Sequence, residues 1–338
     1  MKYSFKNDYS EGAHPVILEK LVQSNLIQEP GYGYDKHSEN AKTYLRQLVN
    51  DENAKIHFIS GGTQTNLIAH KAFLRPHEAS IAAESGHICV HEAGAIESTG
   101  HKIVIAESVN GKLNPKSIDK IIQSHSDEHM VFPKMVYISN PTELGTVYTK
   151  DELTALRAYC DAHALYLYCD GARLGTVLCQ DKYDLNLEDM YTLTDAFFIG
   201  ATKVGALLGE ALVIRNEALK PQTEFILKQS GALLAKGRLL GIQFESLFES
   251  GLYFDLSDHS IQLAERITAH LRTVECDFLV EPETNQLFPI LSNEKIEVLQ
   301  KNFDFYVWKE IDDNYSAIRL ITSWATSEEA VSNLIQAL

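Results

Sequence analysis

Two short apolar runs that lead into charged residues constrain the fold of this chain more than any other feature. One lies in residues 164–173 and leads into Asp170, and the other lies in residues 197–203 and leads into Lys203. Short apolar runs rich in aromatic residues are typical of buried strands in an α/β sheet. In open sheets of this class, ligands bind at the carboxyl ends of the strands. We therefore expect Asp170 and Lys203 to share one site.

Residues 55–69 predict a strand that breaks at Gly61 and Gly62 and continues as a helix. The free N–H groups at the start of such a helix attract anions, and Thr63 adds a hydroxyl, so a phosphate fits here. An ordinary helix cap by Ser60 or Thr63 explains the same residues. A lysine amine, an acid and a phosphate site are together what pyridoxal phosphate requires, because this cofactor forms a Schiff base with lysine and needs a protonated ring nitrogen.

The order of the elements predicts an α/β fold with a parallel sheet. Residues 135–139 form an apolar strand, residues 150–162 a polar-capped helix, and the strand leading into Asp170 follows. This is a βαβ unit, and it brings Asn140 and Asp170 to the same edge of the sheet. The pattern of residues 225–248 predicts one helix.

A chain of 338 residues is long enough for a large domain and a smaller one. The last ninety or so residues alternate helices with shorter strands. We predict an N-terminal arm with a large cofactor-binding domain over residues 1–245 and a small α+β domain over residues 246–338.

His87 lies between a strand-like run and a helical stretch, where an imidazole can lie on a cofactor ring or transfer a proton. A histidine that only caps or packs explains the position equally well. His91 and Glu92 add to the impression of a metal-binding helix face. The H-E-x-x-H order is absent, however, so we predict no metal site.

Two arginines are placed to meet an anion. Arg173 follows Asp170 by three residues and can reach the same crevice. Arg319 lies inside an apolar strand, where a charge is costly unless it meets an anion such as a substrate carboxylate. A structural salt bridge is the alternative for Arg319.

The composition excludes several classes of protein. A formal charge of −16 argues against a partner with a phosphate backbone, so we predict no nucleic acid. No run approaches the length of a membrane span, and the N-terminus lacks the apolar core of a signal peptide, so we predict a cytoplasmic protein. The five cysteines are scattered and never form a C-x-x-C pair, which indicates neither a disulfide framework nor zinc.

In combination, these segments are similar to the threonine aldolase family of fold-type-I pyridoxal phosphate enzymes, within the β-eliminating lyase and aminotransferase-like group. The motifs that carry the resemblance are Asp170-Gly171-Ala172-Arg173, Thr202-Lys203, the run from Ser60 to Asn66, Gly86-His87 before Glu92-Ala93-Gly94, and the run from Arg319 to Trp324. The resemblance implies a three-layer, mostly parallel sheet of the aminotransferase-like kind. It also implies a homodimer or homotetramer with shared active sites.

The resemblance implies a role for each candidate residue. Lys203 would form the Schiff base, Asp170 would pair with the pyridinium nitrogen, and His87 would stack on the ring. The implied cofactor ligands are Gly62, Thr63, Asp170, Arg173, Thr202 and Lys203. The implied ligands of the substrate carboxylate are Arg173 and Arg319, and Asn7 stands where family members usually carry serine.

The resemblance implies a lyase that cleaves a β-hydroxy-α-amino acid, such as L-threonine or L-allo-threonine, to glycine and an aldehyde. His87 or an ordered water is the candidate base. Residues 139–142 read Ser-Asn-Pro-Thr where many family members have Glu-Asn-x-His. This difference leaves two other reactions of the same cofactor open, β-elimination and transamination. A scaffold that binds an amino acid without chemistry is the non-enzymatic alternative.

Overall fold

The computed structural model describes residues 2–338. The strands are β1 (Tyr3–Ser4), β2 (Lys55–Ile59), β3 (Glu78–Ala83), β4 (Ile103–Ala106), β5 (Phe132–Ser139), β6 (Tyr166–Asp170), β7 (Ala196–Gly200), β8 (Glu210–Ile214), β9 (Gln286–Leu287), β10 (Ile290–Ser292), β11 (Phe303–Asp304), β12 (Tyr306–Glu310) and β13 (Tyr315–Ile321). The helices are α1 (Pro15–Ser24), α2 (Lys36–Leu48), α3 (Gly62–Phe73), α4 (His87–Val90), α5 (Pro115–Ser124), α6 (Lys150–Ala162), α7 (Gly175–Leu178), α8 (Leu187–Leu193), α9 (Thr223–Gln229), α10 (Arg238–Phe248), α11 (Leu252–Thr273), α12 (Asn293–Leu299) and α13 (Glu328–Ala337).

Seven strands form a central sheet in the order β2-β8-β7-β6-β5-β3-β4. Neighbouring strands are parallel except at β8, which runs antiparallel to β2 and β7. The predicted βαβ unit is confirmed, since β5 and β6 are parallel with Ser139 opposite Asp170. The carboxyl ends of six strands and the amino end of β8 therefore lie at one edge of the sheet.

Both faces of this sheet are buried, which explains why its central strands are apolar runs rather than alternating ones. Along β6, Leu167 and Cys169 belong to one hydrophobic cluster, whereas Tyr168 belongs to the cluster on the opposite face. In β7, Phe197 and Phe198 divide between the same two clusters. The predicted three-layer, mostly parallel α/β architecture is confirmed.

Of two helices predicted from the sequence pattern, one is confirmed and the other is wrong. The helix over residues 150–162 is confirmed as α6, and Thr149 and Glu152 form a capping box at its start. The single helix predicted over residues 225–248 is wrong, because the chain leaves the helix after Gln229 and resumes it at Arg238. Gly231 has a φ of 71°, a left-handed conformation that ends a helix.

The C-terminal region has its own smaller sheet, in which β10, β13 and β12 are antiparallel and β9 also pairs with β13. The N-terminus joins this region, since β1 pairs with β11 and Phe5 belongs to its hydrophobic cluster. The predicted division after residue 245 falls within α10, and the domain bounds 1–245 and 246–338 stay a prediction. Among the helices of residues 2–338, none is both long and apolar enough to cross a membrane.

Candidate active site

A cavity of about 360 Å³ lies at the edge of the central sheet where the strands end. Its lining includes most of the residues that the sequence singled out, namely Gly62, Thr63, His87, Asp170, Arg173, Thr202 and Lys203. A second cavity of about 470 Å³ adjoins it and is lined by Tyr9, His87, His91, Arg173, Lys203, Tyr306, Trp308 and Arg319, among others. The structure thus brings together every predicted site residue except Asn7 around these two cavities.

Asp170 is buried at the end of β6 and is held on both carboxylate oxygens. The Tyr137 hydroxyl donates to its Oδ2 at 2.8 Å, and Asn66 Nδ2 donates to the same oxygen at 3.0 Å. The backbone N–H of Ala172 donates to Oδ1 at 3.0 Å. Three donors thus fix the orientation of the carboxylate. Asp170 is therefore a fixed acceptor facing the cavity, which suits the partner of a protonated ring nitrogen.

His87 begins the one-turn helix α4 and is held by a buried acid. Its Nδ1 lies 2.7 Å from Glu92 Oε1, which also accepts a hydrogen bond from Asn66 Nδ2 at 2.7 Å. Burial opposes protonation of the imidazole, but the bond to Glu92 and the charge of Asp170 outweigh it and raise the pKa of His87. His87 is therefore oriented and disposed to carry a proton.

The same residues offer a cluster of metal-ligating atoms. His87, Glu92 and Asp170 each present one such atom within 4.8 Å of the others. Asn66 Nδ2 donates to both carboxylates, however, and an amide N–H group so placed links two acceptors rather than two ligands of one cation. A hydrogen-bond network accounts for this cluster, and the absence of a metal stays a prediction.

Lys203 follows β7 in a turn and borders both cavities. Burial and the nearby Arg173 guanidinium lower the pKa of Lys203, against the opposing charges of Asp8 and Asp170. Its side chain makes no hydrogen bond with another residue of the range 2–338, and its Nζ lies 6.0 Å from the centre of the Tyr9 ring. A free amine with a lowered pKa is the form that can attack a carbonyl carbon.

The start of α3 leaves its N–H groups free toward the cavity. Gly61 is the N-cap and provides no side-chain hydrogen bond, so the predicted cap by Ser60 or Thr63 does not form. Ser60 instead donates to Gln64 Oε1 at 2.6 Å. Uncapped N–H groups and the positive end of a helix dipole bind phosphate well. Lys203, Asp170 and this helix end lie around one cavity, so the residues present fit pyridoxal phosphate.

Thr202 is linked to a buried acid that the sequence analysis did not single out. Its hydroxyl donates to Glu210 Oε1 at 3.0 Å and accepts from the N–H of Gly209 at 3.0 Å. Burial raises the pKa of Glu210 to about 8, although the Lys203 charge opposes this. Glu210 is the first residue of the reversed strand β8, and this reversal brings its carboxyl group to the ligand edge of the sheet.

Arg173 is engaged by Asp8. Its Nε and Nη2 donate to the two oxygens of Asp8 at 2.7 and 3.0 Å, and Asp8 is buried. Asn7 lies outside both cavities, and its Oδ1 accepts from the N–H of Tyr9 and the hydroxyl of Ser10. The structure thus shows the neighbouring residue, Asp8, at the site, and the substrate-binding role of Asn7 stays a prediction.

Arg319 lies on β13 between two aromatic rings. Its guanidinium carbon is 4.8 Å from the centre of the Trp308 ring and 5.2 Å from that of the Tyr306 ring. One long hydrogen bond of 3.4 Å joins its Nη2 to the carbonyl of Lys6, and its buried Nε has no partner among the described residues. Arg319 therefore keeps guanidinium donors available for an anion, and no carboxylate of residues 2–338 forms a salt bridge with it.

Sequence reasoning gave no supporting role to the residues that hold the predicted ones in place, chiefly Asp8, Asn66, Tyr137 and Glu210, and it considered Glu92 only as a metal ligand. Their partners lie from five to 165 residues away in the sequence, so spacing gives no sign of the pairs. One usable signal was the charge of Glu210 at the start of an otherwise apolar run. A buried carboxyl group needs a partner, which marks such a residue as a site candidate.

Comparison with known proteins agrees with this geometry. The sequence pattern of the β-eliminating lyase family matches residues 16–294. The chain is 30% identical to the low specificity L-threonine aldolase of Pseudomonas aeruginosa over 334 residues, which covers 98% of this chain and 95% of that protein. A solved structure of Leishmania major threonine aldolase is 49% identical and superposes with a TM-score of 0.97, covering 99% of this chain and 98% of that one.

More distant structures share the fold. The aspartate aminotransferase of Thermus thermophilus is 14% identical and superposes with a TM-score of 0.74 over 99% of this chain and 90% of its own. At this level of identity, the similarity concerns the fold alone. It confirms the predicted aminotransferase-like architecture.

Proposed function

Because the chain belongs to the threonine aldolase family of β-eliminating lyases, we propose that it cleaves a β-hydroxy-α-amino acid, of the L-threonine or L-allo-threonine type, to glycine and an aldehyde with pyridoxal 5'-phosphate as cofactor. The observation that carries the proposal is the pairing of Lys203 and Asp170 around one cavity beside the uncapped start of α3. When bound through Lys203, the cofactor supplies an electron sink for the electron pair left at Cα by bond cleavage.

The residues of the chain divide the remaining work. Asp170 would hold the ring nitrogen in its protonated form, since Tyr137 and Asn66 keep its carboxylate oriented. His87, fixed by Glu92, would cover one face of the ring. Free N–H groups at Gly62 and Thr63 hold the phosphate, and Thr202 lies beside them in the cavity.

Substrate orientation falls to the two arginines. Arg319 lines the outer cavity and makes only one long hydrogen bond within the described residues, so we assign it as the principal ligand of the substrate carboxylate. Arg173 keeps two of its nitrogens on Asp8, and its guanidinium lies close enough to Lys203 to act on its charge. A carboxylate fixed by a guanidinium leaves Cα and the β-hydroxyl to face the inner cavity.

Aldehyde release tests the proposal. Purified protein with added cofactor is assayed on threonine, allo-threonine, serine and phenylserine. We expect an aldehyde and glycine in equal amounts from at least one substrate. A keto acid with ammonia would indicate β-elimination instead, and a keto acid formed only with an amino acceptor would indicate transamination.

Absorbance tests the cofactor. The wild-type protein should acquire the visible absorbance of a lysine-bound cofactor, and Lys203→Ala should lose both this band and aldehyde release. Lys116→Ala, which changes an exposed lysine away from the site, is the matched control and should keep both. A wild-type protein that shows no band after loading would contradict the proposal.

We further propose a homotetramer, or a homodimer, in the cytoplasm. The exposed apolar side chains of Leu18 and Val22, one turn apart on α1, support an interface between subunits, since exposed apolar surface can mark a contact. All five cysteines are free, which supports a reducing compartment. Sedimentation equilibrium measures the subunit number, and cell fractionation tests the location.

A further inference from the structure

His91 occupies the boundary between the two cavities of the site. It follows the one-turn helix α4 directly, and its backbone N–H donates to the carbonyl of His87 at 2.9 Å. The imidazole lines both the inner cavity, with Asp170 and Lys203, and the outer cavity, with Arg319. An amino acid with its carboxylate at Arg319 and its Cα near Lys203 would have its Cβ substituents between these residues, close to His91.

The imidazole of His91 is also free. It is exposed, and neither ring nitrogen makes a hydrogen bond with another residue in the range 2–338. Its ring centre lies 5.5 Å from that of His87, with an angle of 53° between the planes, so the two rings are not stacked. His91 can therefore form a hydrogen bond with a substrate without first breaking one to another residue.

The other groups that could accept a proton in this cleft are each held by hydrogen bonds within the chain. His87 uses Nδ1 on Glu92. Glu143 accepts hydrogen bonds from the Ser139 hydroxyl at 2.8 Å and from the N–H of His87 at 3.1 Å. Burial raises the pKa of Glu143, which favours its protonated form. Among the imidazoles and carboxylates lining the outer cavity, His91 is the one whose side chain makes no hydrogen bond with another described residue.

The charges around His91 favour its neutral form. Partial burial disfavours the imidazolium, and the positive charges of His87, Arg319, Lys203 and Arg173 act in the same direction, so the pKa of His91 is lowered. The pKa of the neighbouring His87 is raised. Two adjacent titratable groups with pKa values shifted in opposite directions are the usual arrangement of an acid beside a base.

We propose that His91 is the general base that removes the proton from the β-hydroxyl of the substrate. The assignment rests on the proposed aldolase function. A neutral ring nitrogen takes the hydroxyl proton, the O–H electron pair forms the C=O bond of the aldehyde, and the Cα–Cβ bond breaks. Its electron pair goes to Cα, which later takes up one proton, so that glycine and aldehyde together contain all the atoms of the substrate.

The variant His91→Asn separates this step from the rest of the chemistry. It removes the base but keeps a small polar side chain, and His77→Asn, at an exposed histidine away from the site, is the matched control. Two reactions are compared in the loaded enzyme, aldehyde release from threonine and allo-threonine and exchange of the α-proton of glycine in D2O by NMR. Glycine exchange needs no base at Cβ, so it reports on the cofactor and on Lys203.

We expect His91→Asn to lower kcat for aldehyde release by ~100-fold or more, the contribution typical of a general base. Glycine exchange, the visible absorbance and the affinity for glycine measured by absorbance titration should match those of the wild type. Wild-type kcat/KM should fall as the pH drops through the folded-state pKa of His91, below its usual 6.5. The variant should lack this acidic limb, because the base must be neutral to act.

Three outcomes would overturn the assignment. Aldehyde release by His91→Asn at the wild-type rate would leave the aldolase function intact and exclude His91 as the base. A parallel fall of aldehyde release and glycine exchange would show that His91 acts on the cofactor rather than on the hydroxyl. A wild-type protein that exchanges glycine protons but releases no aldehyde from any β-hydroxy amino acid would refute the proposed function together with its base.

Discussion

Two walls of the same cleft are built in different ways. The sheet wall, formed by Asp170, Arg173 and Thr202, lies at the ends of the central strands and has its hydrogen bonds made within the chain. The small-domain wall, formed by Tyr306, Trp308 and Arg319, holds an arginine between two rings with an unpartnered Nε. The polar groups of the sheet wall have hydrogen-bond partners within the chain, whereas Arg319 in the small-domain wall has a donor without a partner among residues 2–338.

The difference follows from how each wall is positioned. Residues of the sheet wall are fixed by strand register, as Ser139 lies opposite Asp170 and Gly200 lies opposite Glu210. The small-domain wall lies on β12 and β13, whose register shifts between Val307 and Lys309. A preorganised wall suits a cofactor that stays bound, whereas unused donors suit a substrate that comes and goes. Substitutions in the sheet wall should therefore lower kcat or stability, whereas substitutions in the small-domain wall should mainly raise KM.

The largest effect is expected in the sheet wall. Asp170→Asn keeps the shape of the side chain but removes its negative charge, which Tyr137 and Asn66 are arranged to stabilise. We expect kcat for aldehyde release to fall by ~100-fold or more, since loss of one preorganised electrostatic group costs this much. KM should change far less. A variant with near-normal kcat would show that the sheet wall does not act through this charge.

The buried ion pair of the sheet wall should appear in stability. Arg173→Gln leaves the Asp8 carboxylate buried without its cation, and loss of one partner of such a pair costs about 3–5 kcal/mol of unfolding free energy. Urea denaturation of the protein without cofactor measures the loss. Asp8→Asn in the Arg173→Gln background should recover part of it, because no unpaired charge then remains. Full stability in the single variant would contradict a structural role for the pair.

The same pair predicts a response to acid. Burial favours the protonated form of Asp8, but the charges of Arg173 and Lys203 and two hydrogen bonds outweigh it and hold its pKa below 3.8. A carboxyl group with a lowered pKa stabilises the folded state above its unfolded pKa and loses this contribution as the pH falls through the folded value. The stability gap between wild type and Asp8→Asn should therefore narrow below about pH 4.

Sequence alone was enough for the sheet wall in outline. Apolar runs leading into Asp170 and Lys203 required two buried strands, and a parallel sheet has only one carboxyl edge, so their meeting followed from topology. The hydrogen-bond partners of Asp170 could not be predicted from the sequence. Tyr137 and Asn66 resemble ordinary core and helix residues, and only the fold brings them to Asp170. The same is true of Asp8, which the sequence analysis passed over in favour of Asn7 as the substrate ligand.

The small-domain wall was visible only as an anomaly. Arg319 inside an apolar strand signalled an anion or a salt bridge, and within residues 2–338 its guanidinium has no carboxylate partner, which favours the anion. Its aromatic neighbours could not be predicted, since Tyr306 and Trp308 lie on a different strand and come to Arg319 only through the pairing of β12 with β13, in which Tyr306 lies opposite Arg319. Local pattern thus reveals that a charge is misplaced, and tertiary structure reveals what surrounds it.

In the small-domain wall, the expected failure is in binding. Arg319→Gln removes the charge that awaits the substrate carboxylate, and a hydrogen bond to a charged group is worth about 1.5–3 kcal/mol. We expect KM for threonine to rise by roughly 10- to 100-fold with a smaller change in kcat. Unfolding free energy should stay near that of the wild type, in contrast to Arg173→Gln. A large fall in the unfolding free energy of Arg319→Gln would show that Arg319, like Arg173, has a structural role, and would contradict the proposed difference between the two walls.

The smallest effect concerns the acid behind the sheet wall. Burial raises the pKa of Glu210 from 4.5 to about 8 despite the opposing charge of Lys203. Between these two values the unfolded chain releases a proton that the folded protein keeps, so Glu210 makes wild-type stability fall as the pH rises. Glu210→Gln does not titrate, and its stability relative to wild type should increase across this range and then level off.

Chemical denaturation of the cofactor-free protein at a series of pH values measures this difference. Glu224→Gln provides a control of opposite sign, because the bond from Lys55 lowers the pKa of Glu224 and the loss of that bond should cost a little stability at neutral pH. A difference between Glu210→Gln and wild type that stays constant over the range would mean that Glu210 is ionised in the folded protein. The sheet wall would then carry a second negative charge beside the phosphate site, which a bound phosphate would oppose. A neutral Glu210 is thus a condition for the same wall to hold both Thr202 in place and an anion in front of it.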